Sequence, residues 1–547
     1  MPNEKRLNAY DQLPYPSLAY AQTHPDRLAT LATVLGMNPA PVDHCRVLEL
    51  GCASGGNLVP MAYALPGSEF VGVDASQVQI AQGQRIVQAL GLDNIRLQHM
   101  DILEIDASLG EFDYIIVHGV YSWVPPAVRD KILQVCKENL APSGVSYVSY
   151  NTYPGWHMID IVRGVMVFSS QDVDEPEMRA VKGRAGLRQL AEMVPGEGNA
   201  YGGFLQMYAQ LIDGELEDSS PKSNALLFHD EMEENNDPVY FYQFAAHADR
   251  HGLQYLGDFH HASGGSLSPE VTAKLQAMSR NHIELEQHLD FLQNRTFRQT
   301  LLCHDDVVLS RSVKPAQARA FYAASKAKPL SEDPDIVSLS VEQFRGHDGA
   351  ILSIDHPVSK AAMLCLAEVW PRAISFEELL AAARGRLARE AKGGASGSNG
   401  DVDAEVLGAN LLQGHGYSQS LVELHVYAAP IASVAGDRPR ASRVARLWAN
   451  QDDTITNLRH ERLKLDPLVR YLLPYLDGRR DREALLETLL EGPVARGELT
   501  IEQDGGPSPD VRQALADEIE NALAWLVGAG LLIDPAFDRE RRDDPRQ

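Results

Sequence analysis

Basic residues, cysteines and long apolar runs are all scarce in this chain of 547 residues. Lys and Arg together number 49 against 75 Asp and Glu, a formal charge of −26 at pH 7. Affinity for phosphate-rich partners comes from clustered Lys and Arg. The balance therefore excludes a protein whose main work is holding nucleic acid, and equally one that lies on an anionic membrane surface. A basic peptide or protein is the better electrostatic match. The five cysteines (Cys45, Cys52, Cys136, Cys303 and Cys365) are scattered and form no Cys-x-x-Cys pair. That pattern excludes a disulfide framework and a structural zinc site, and it makes a reducing cytoplasm the expected location. No run of roughly 18 apolar residues occurs, so neither a transmembrane helix nor membrane insertion is expected. The opening Met1-Pro2-Asn3-Glu4-Lys5-Arg6 leads into no apolar segment, which argues against a signal peptide. A solenoid is excluded by the absence of any short-period repeat.

What the chain does contain is ordinary globular material, 44% hydrophobic and 23% charged residues. At ~100–200 residues per domain its length predicts about three or four domains. The first 150 residues alternate apolar strands with helices, as a βαβ sheet requires. Strands are predicted at 46–50, 70–74, 95–99, 114–118 and 144–150. Helices are predicted at 57–65, 76–90 (Ser76 as N-cap, Gly91 as stop) and 128–140. From about Ser169 to Pro221 the pattern is helical but interrupted by Gly183, Gly186, Pro195, Gly196, Gly198, Gly202 and Gly203, and it reads as an insertion. A helix at 238–251 and strands at 253–259 and 296–304 then complete a discontinuous seven-stranded sheet.

Beyond Lys314 come a helix at 356–370, a capping box at Ser375-Phe376-Glu377-Glu378, a glycine- and serine-rich loop at 392–400, a helix at 403–412 and a strand at 421–427. Helices followed by a strand are the order of a winged helix. A comparable order returns at 467–476, 481–490, 510–527 and 530–533. In that second unit the candidate recognition helix carries Asp510, Asp517, Glu518 and Glu520 against a single Arg512. Such a face repels phosphate and favours a protein-contact or structural role.

The chemistry-bearing element is Glu49-Leu50-Gly51-Cys52-Ala53-Ser54-Gly55-Gly56-Asn57. A strand feeding a glycine turn and then a helix sets backbone against a ligand at the carboxyl edge of a sheet. Dinucleotides and S-adenosylmethionine both use such a turn. Glu49 separates them, since a carboxylate repels a pyrophosphate but suits an ammonium and a sulfonium. Asp74, followed by Ala75, ends the next strand and can accept from both ribose hydroxyls. Asp101 follows the third strand, where it can accept from an adenine amino group while Ile102 packs on the ring. Three acids at three successive strand ends form a specific set.

These segments resemble class I S-adenosylmethionine-dependent methyltransferases across about Tyr10 to Tyr150. Tyr10-Asp11-Gln12-Leu13-Pro14-Tyr15-Pro16, Gln22-Thr23-His24-Pro25, His118-Gly119-Val120-Tyr121-Ser122-Trp123-Val124 and Asn151-Thr152-Tyr153-Pro154-Gly155-Trp156-His157 resemble a bacterial subgroup with a methyltransferase regulatory domain. Phe228-His229-Asp230-Glu231 and Asn236-Asp237-Pro238-Val239-Tyr240-Phe241 carry the resemblance into that domain. The subgroup includes rickettsial protein-lysine methyltransferases that modify an outer membrane protein. The resemblance implies an α/β, Rossmann-like seven-stranded core with a helical insertion, then a middle domain and a winged-helix-like C-terminal domain. The corresponding spans are 1–165 and 226–312 for the core, 166–225 for a dimerisation insert, 313–440 for a winged-helix-like middle domain and 441–547 for the C-terminal domain. It also implies S-adenosylmethionine as cofactor, a homodimer, and a lysine-bearing protein substrate, with an outer membrane or surface protein among the candidates. A small-molecule N- or O-methyltransferase and a cofactor-binding module without turnover stay open as alternatives.

Methyl transfer is an in-line displacement that depends on positioning, and a lysine amine must first lose the proton it holds up to pH ~10.4. The fourth strand end (His118, Tyr121, Trp123) and the fifth (Asn151, Tyr153, Trp156, His157) point toward the place of the methyl group. Rings there can hold an amine by cation–π contact, and His118 or His157 can accept a proton. The cofactor set is Glu49, Gly51, Cys52, Ala53, Gly55, Asn57, Asp74, Ala75, Asp101, Ile102 and His118, with Tyr15 and Tyr20 in a lid before the first strand. His229, with Asp230 to orient it, joins the catalytic set of His118, Tyr121, Asn151 and Trp156 on the resemblance, unless Asp230 instead caps the following helix. No metal is expected. His247 and His251 stand one helical turn apart, but no third ligand is signalled, so a solvated helix face is the reading. His260-His261 reads as a loop pair.

Overall fold

The computed structural model describes residues 9–215, 221–258, 267–390, 400–500, 502–503, 506–507 and 510–537. Its centre is a seven-stranded sheet of β1 (Arg46–Leu50), β2 (Glu69–Asp74), β3 (Ile95–His99), β4 (Phe112–Val117), β5 (Leu140–Asn151), β6 (Leu253–Asp258) and β7 (Phe297–His304). The strand order is β3-β2-β1-β4-β5-β7-β6. The first five strands are mutually parallel, and β7 runs antiparallel to β5 and β6. Apolar side chains of β1, β2 and β4 are buried on both faces of the sheet, which is why these strands read as unbroken apolar runs. The strand order reverses between β1 and β4, and a ligand crevice opens at such a switch point, at the carboxyl ends.

Helix ends follow the side chains that cap them. Ser76 accepts from the Gln79 amide at 3.2 Å, and Gly91 closes helix Gln77–Leu90 at φ 62°. β4 and β5 start earlier than expected, because β4 pairs from Phe112 onto Leu140 across a register shift.

The insertion is more regular than its glycines suggest. It consists of helices Trp156–Ser169, Pro176–Met193, Ala200–Glu215 and Pro221–Leu227. Gly183, Gly186, Gly202 and Gly203 lie inside helices; only Pro195, Gly196 and Gly198 occupy a connection. The helical glycines serve close approach. A Cβ on Gly202 would stand 2.0 Å from the Pro195 carbonyl oxygen, and one on Gly183 2.7 Å from the Met232 methyl.

The middle region pairs Tyr322–Ala324 with Ile374–Ser375 and Glu423–His425 around helices Pro357–Val369, Phe376–Glu390 and Gly400–Tyr417. The capping box at Ser375 and Glu378 forms as expected. A further sheet of Lys328–Pro329, Glu342–Arg345 and Ile351–Ile354 had no counterpart in the sequence reading. In the C-terminal region helices Pro467–Leu472, Arg482–Leu489 and Val511–Gly528 enclose a leucine-rich core. The expected strand at 530–533 is reduced to bridges from Leu532 and Ile533 to Ala441 and Ile431. Arg512 is spent on Glu483 and Glu487, so the acidic helix offers phosphate no free guanidinium there. Residues 392–399 and His260-His261 lie outside the described residues. Among the described residues no helix is long and apolar enough to cross a membrane.

Candidate active site

The turn after β1 is held by hydrogen bonds to the end of β2. The amides of Gly51 and Cys52 donate to the Val73 carbonyl at 2.9 and 3.1 Å. The Ala53 amide donates to Asp74 Oδ2 at 2.8 Å, and the Ser76 amide to Oδ1 at the same distance. Gly51 (φ 75°) and Gly55 (φ 77°) take left-handed conformations, and so does Ala53 (φ 49°), which bears the strain that glycine avoids. Glycine is required at 56 for another reason. A Cβ there would lie 2.3 Å from the Ser17 carbonyl oxygen, and its amide donates to Ser17 Oγ at 2.7 Å. The segment before the first strand thus lies directly over the turn.

Above the turn opens a cavity of about 580 Å³. Glu49, Gly51, Cys52, Ala53, Asn57, Asp74, Ala75, Asp101, Ile102, His118 and Tyr15 line it, joined by Asn151, Trp156 and His229. Glu49 is buried at its base. Its Oε1 accepts from Asn57 Nδ2 at 2.7 Å, while Oε2 meets no donor among the described residues. Burial, helped by the neighbouring Asp74, pushes this carboxyl up to about 8. A buried carboxylate that lines a cavity and keeps one oxygen without a donor suits a cationic ligand group. Asp74 keeps lone pairs beyond its two backbone contacts, and burial raises its carboxyl as well. Asp101, at the exposed rim, accepts from the Leu103 amide at 2.9 Å.

Much of the remaining lining is aromatic: Tyr10, Tyr20, Trp123, Trp156 and Phe297. Trp123 and Trp156 meet edge to face at 6.2 Å. His118 packs on Tyr20 at 3.9 Å, and its Nδ1 faces the Tyr147 hydroxyl at 3.0 Å. Burial, with Arg462 adding to it, pushes this ring down to about 3. The ring is part of the cavity lining and is held there by its contact with the Tyr147 hydroxyl. The Asn151 amide group donates to Asn236 Oδ1 at 3.0 Å.

Several of the expected residues lie outside the cavity lining. Tyr121 does not line the cavity: its ring packs on Phe244 and Tyr150, and its hydroxyl meets His247 Nδ1 at 2.8 Å. Gly55 shapes the turn without lining it. His157 stacks on Tyr153 at 4.0 Å and bonds Tyr240 at 3.1 Å, both outside the lining. His229 is oriented by Glu233, at 2.7 Å from Nδ1, rather than by Asp230. Its Nε2 faces the Leu13 carbonyl at 2.7 Å. Both ring nitrogens thus face acceptors, leaving no lone pair aimed at the cavity. The helix that follows has Tyr240, not Asp230, as its N-cap, and Asp230 accepts from the Tyr15 hydroxyl at 3.2 Å.

Sequence reasoning missed the contribution of the C-terminal region. His460 Nε2 donates to Asn57 Oδ1 at 2.8 Å, so the side chain that holds Glu49 is itself held from 403 positions away. Arg462 stands over the Tyr20 ring at 5.4 Å. No local pattern marks either residue. Phe297, on β7, is equally silent, being an ordinary apolar strand residue.

Three family models match the chain: "Methyltransferase domain" at residues 47–144, "Predicted methyltransferase regulatory domain" at 223–304 and "PKMT, C-terminal winged helix domain" at 437–531. An uncharacterized protein of Rickettsia prowazekii, RP789, is 35% identical over 95% of this chain and 92% of its own length. The solved structure of PKMT2 from Rickettsia typhi is similar at 28% identity and a TM-score of 0.81, covering 95% of this chain and 100% of that one. The same protein in complex with AdoHcy gives a TM-score of 0.80 at the same identity and coverage.

Proposed function

The chain belongs to the S-adenosylmethionine-dependent methyltransferases that join a methyltransferase domain, a regulatory domain and a PKMT winged helix domain, and from that premise we propose that its acceptor is a lysine amine of a protein. The observation that carries this reading is the composition of the 580 Å³ cavity. Its lining combines cofactor-type acids (Glu49, Asp74, Asp101) with aromatic rings and a second pair of acids, Asp230 and Glu231. When bound, S-adenosylmethionine supplies a methyl carbon on a positively charged sulfur that departs as a neutral thioether. Glu49, the Gly51–Ala53 turn, Asp74, Asp101 and Ile102 are the residues that would hold it, with the Glu49 Oε2 lone pairs directed to its cationic portion. Asp230 and Glu231 draw in a lysine ammonium. Trp123, Trp156 and Phe297 hold its alkyl chain and strip its water. Desolvation between rings disfavours the charged amine, which releases its proton to solvent as it enters and attacks as the neutral nucleophile.

Protein from which lysine-rich acceptors are drawn, an outer membrane or surface protein first among them, is incubated with methyl-labelled cofactor. Label in acid-precipitable protein, located on lysine by mass spectrometry, is the expected result. Label confined to small molecules would overturn the lysine assignment.

The helical insertion is proposed as the dimer contact. Phe168 and Met193 (each 71% exposed), with Met207 and Leu211, present apolar side chains to solvent. A monomeric mass by light scattering would remove that assignment. A cytoplasmic location is supported by five buried, unpaired thiols.

A further inference from the structure

Asp130, His247 and His251 converge outside the cavity. His247 sits in the last turn of helix Phe241–Arg250 and His251 caps the end of that helix, while Asp130 projects from helix Pro126–Glu138. His247 Nε2 lies 3.2 Å and His251 Nε2 3.1 Å from the same oxygen, Asp130 Oδ1, and the three donor atoms all fall within 4.8 Å of one another. Two imidazoles and a carboxylate with room for water are the ligand set of an open zinc-type site. The other nitrogen of His247 meets the Tyr121 hydroxyl at 2.8 Å, the kind of outer partner that fixes a ligating ring. Arg129, on the same helix as Asp130, is paired with Asp237.

We propose that Asp130, His247 and His251 bind one divalent transition-metal ion of the zinc class. Binding moves the proton of each ring from Nε2 to Nδ1, and on His247 the Nδ1–H then donates to the Tyr121 oxygen. No net proton is lost. The ion clamps the two helices together. It also steadies the short turn Tyr121–Trp123, whose last residue is part of the aromatic lining. The site lies apart from the cofactor cavity, so it does not depend on the acceptor assignment.

The test is titration of the metal-stripped full chain with Co²⁺ and Zn²⁺, followed by visible absorption, calorimetry and melting temperature. One Co²⁺ per chain with intense four-coordinate bands, displaced by Zn²⁺, and a raised melting temperature are expected. His251→Ala and Asp130→Ala each lose binding by more than the ~10–100-fold that an outer-partner mutation costs, whereas Tyr121→Phe stays within that range. His251→Cys retains one equivalent and adds a thiolate charge-transfer band. Absence of saturable binding, or equal binding by the wild type, His251→Ala and Asp130→Ala, would overturn the site.

Discussion

Burial of Glu49 ties the cavity to pH. The ordinary glutamate value is 4.5, and in the folded chain this carboxyl stands at about 8. With the folded value raised, Glu49 favours folding below pH 4.5, and that contribution is lost as pH rises through about 8, because unfolding lets the group ionise in water. A cationic ligand favours the carboxylate, so cofactor affinity moves the other way and rises over the same window. Glu49→Gln is expected to flatten both profiles and to weaken cofactor binding by roughly 10–100-fold, the worth of a hydrogen bond to a charged group. Calorimetry at several pH values checks it, and an unchanged pH profile would contradict the role of Glu49. At this scale the cofactor side was legible: Glu49, Asp74 and Asp101 end successive strands, and local spacing puts them on one edge. The acceptor side was less so. Tyr121 and His157 neighbour lining residues in sequence, but the turn and helix they belong to aim them at Phe244 and Tyr153 instead.

Among the elements, the helical insertion depends on glycines that look like breaks. Alanine is the better helix former by roughly 1 kcal/mol. At position 202 its methyl would meet a backbone carbonyl at 2.0 Å, which cannot rotate away. Gly202→Ala is therefore expected to destabilise the chain by about 1–3 kcal/mol, measured by denaturant unfolding; a more stable variant would refute the close approach. The contrast explains the misreading. Gly183 and Gly186 look the same in sequence whether they end a helix or let another pass, and only the partner, Met232 or Ser169, decides. The sheet was easier, since its apolar runs and the caps at Ser76 and Gly91 are local signals. The sheet at 328–354 is built from two- to four-residue strands, too short to carry a period.

Across the whole molecule the domains are joined by buried charge. Glu423 of the middle region accepts from Arg27 at 2.7 Å and from Arg459 at 2.6 Å, and His425 meets Asp26 at 2.7 Å. These contacts deliver His460 to Asn57, and through Asn57 to Glu49. His460→Ala is expected to raise the KM for cofactor by roughly 5–10-fold, about one hydrogen bond, while leaving methyl transfer at saturation largely intact; an unchanged KM would remove the link. The charge of −26 also has a use at this scale. Raised salt screens attraction to a lysine-bearing partner more than it does contacts inside the buried cavity, so acceptor affinity falls first. These inter-domain contacts are not legible in sequence, because they join ordinary residues, those to the first domain 396 to 403 positions apart and Arg459 to Glu423 36 apart. The order of synthesis follows from that distance. A ribosome completes the cofactor turn 403 residues before it adds His460, a delay of roughly 20–80 s at ~5–20 residues per second. The nascent methyltransferase core therefore emerges with its cofactor carboxylate incompletely braced. On the proposed role of Glu49, chains released before residue 460 are expected to hold the methyl donor more weakly than the full chain.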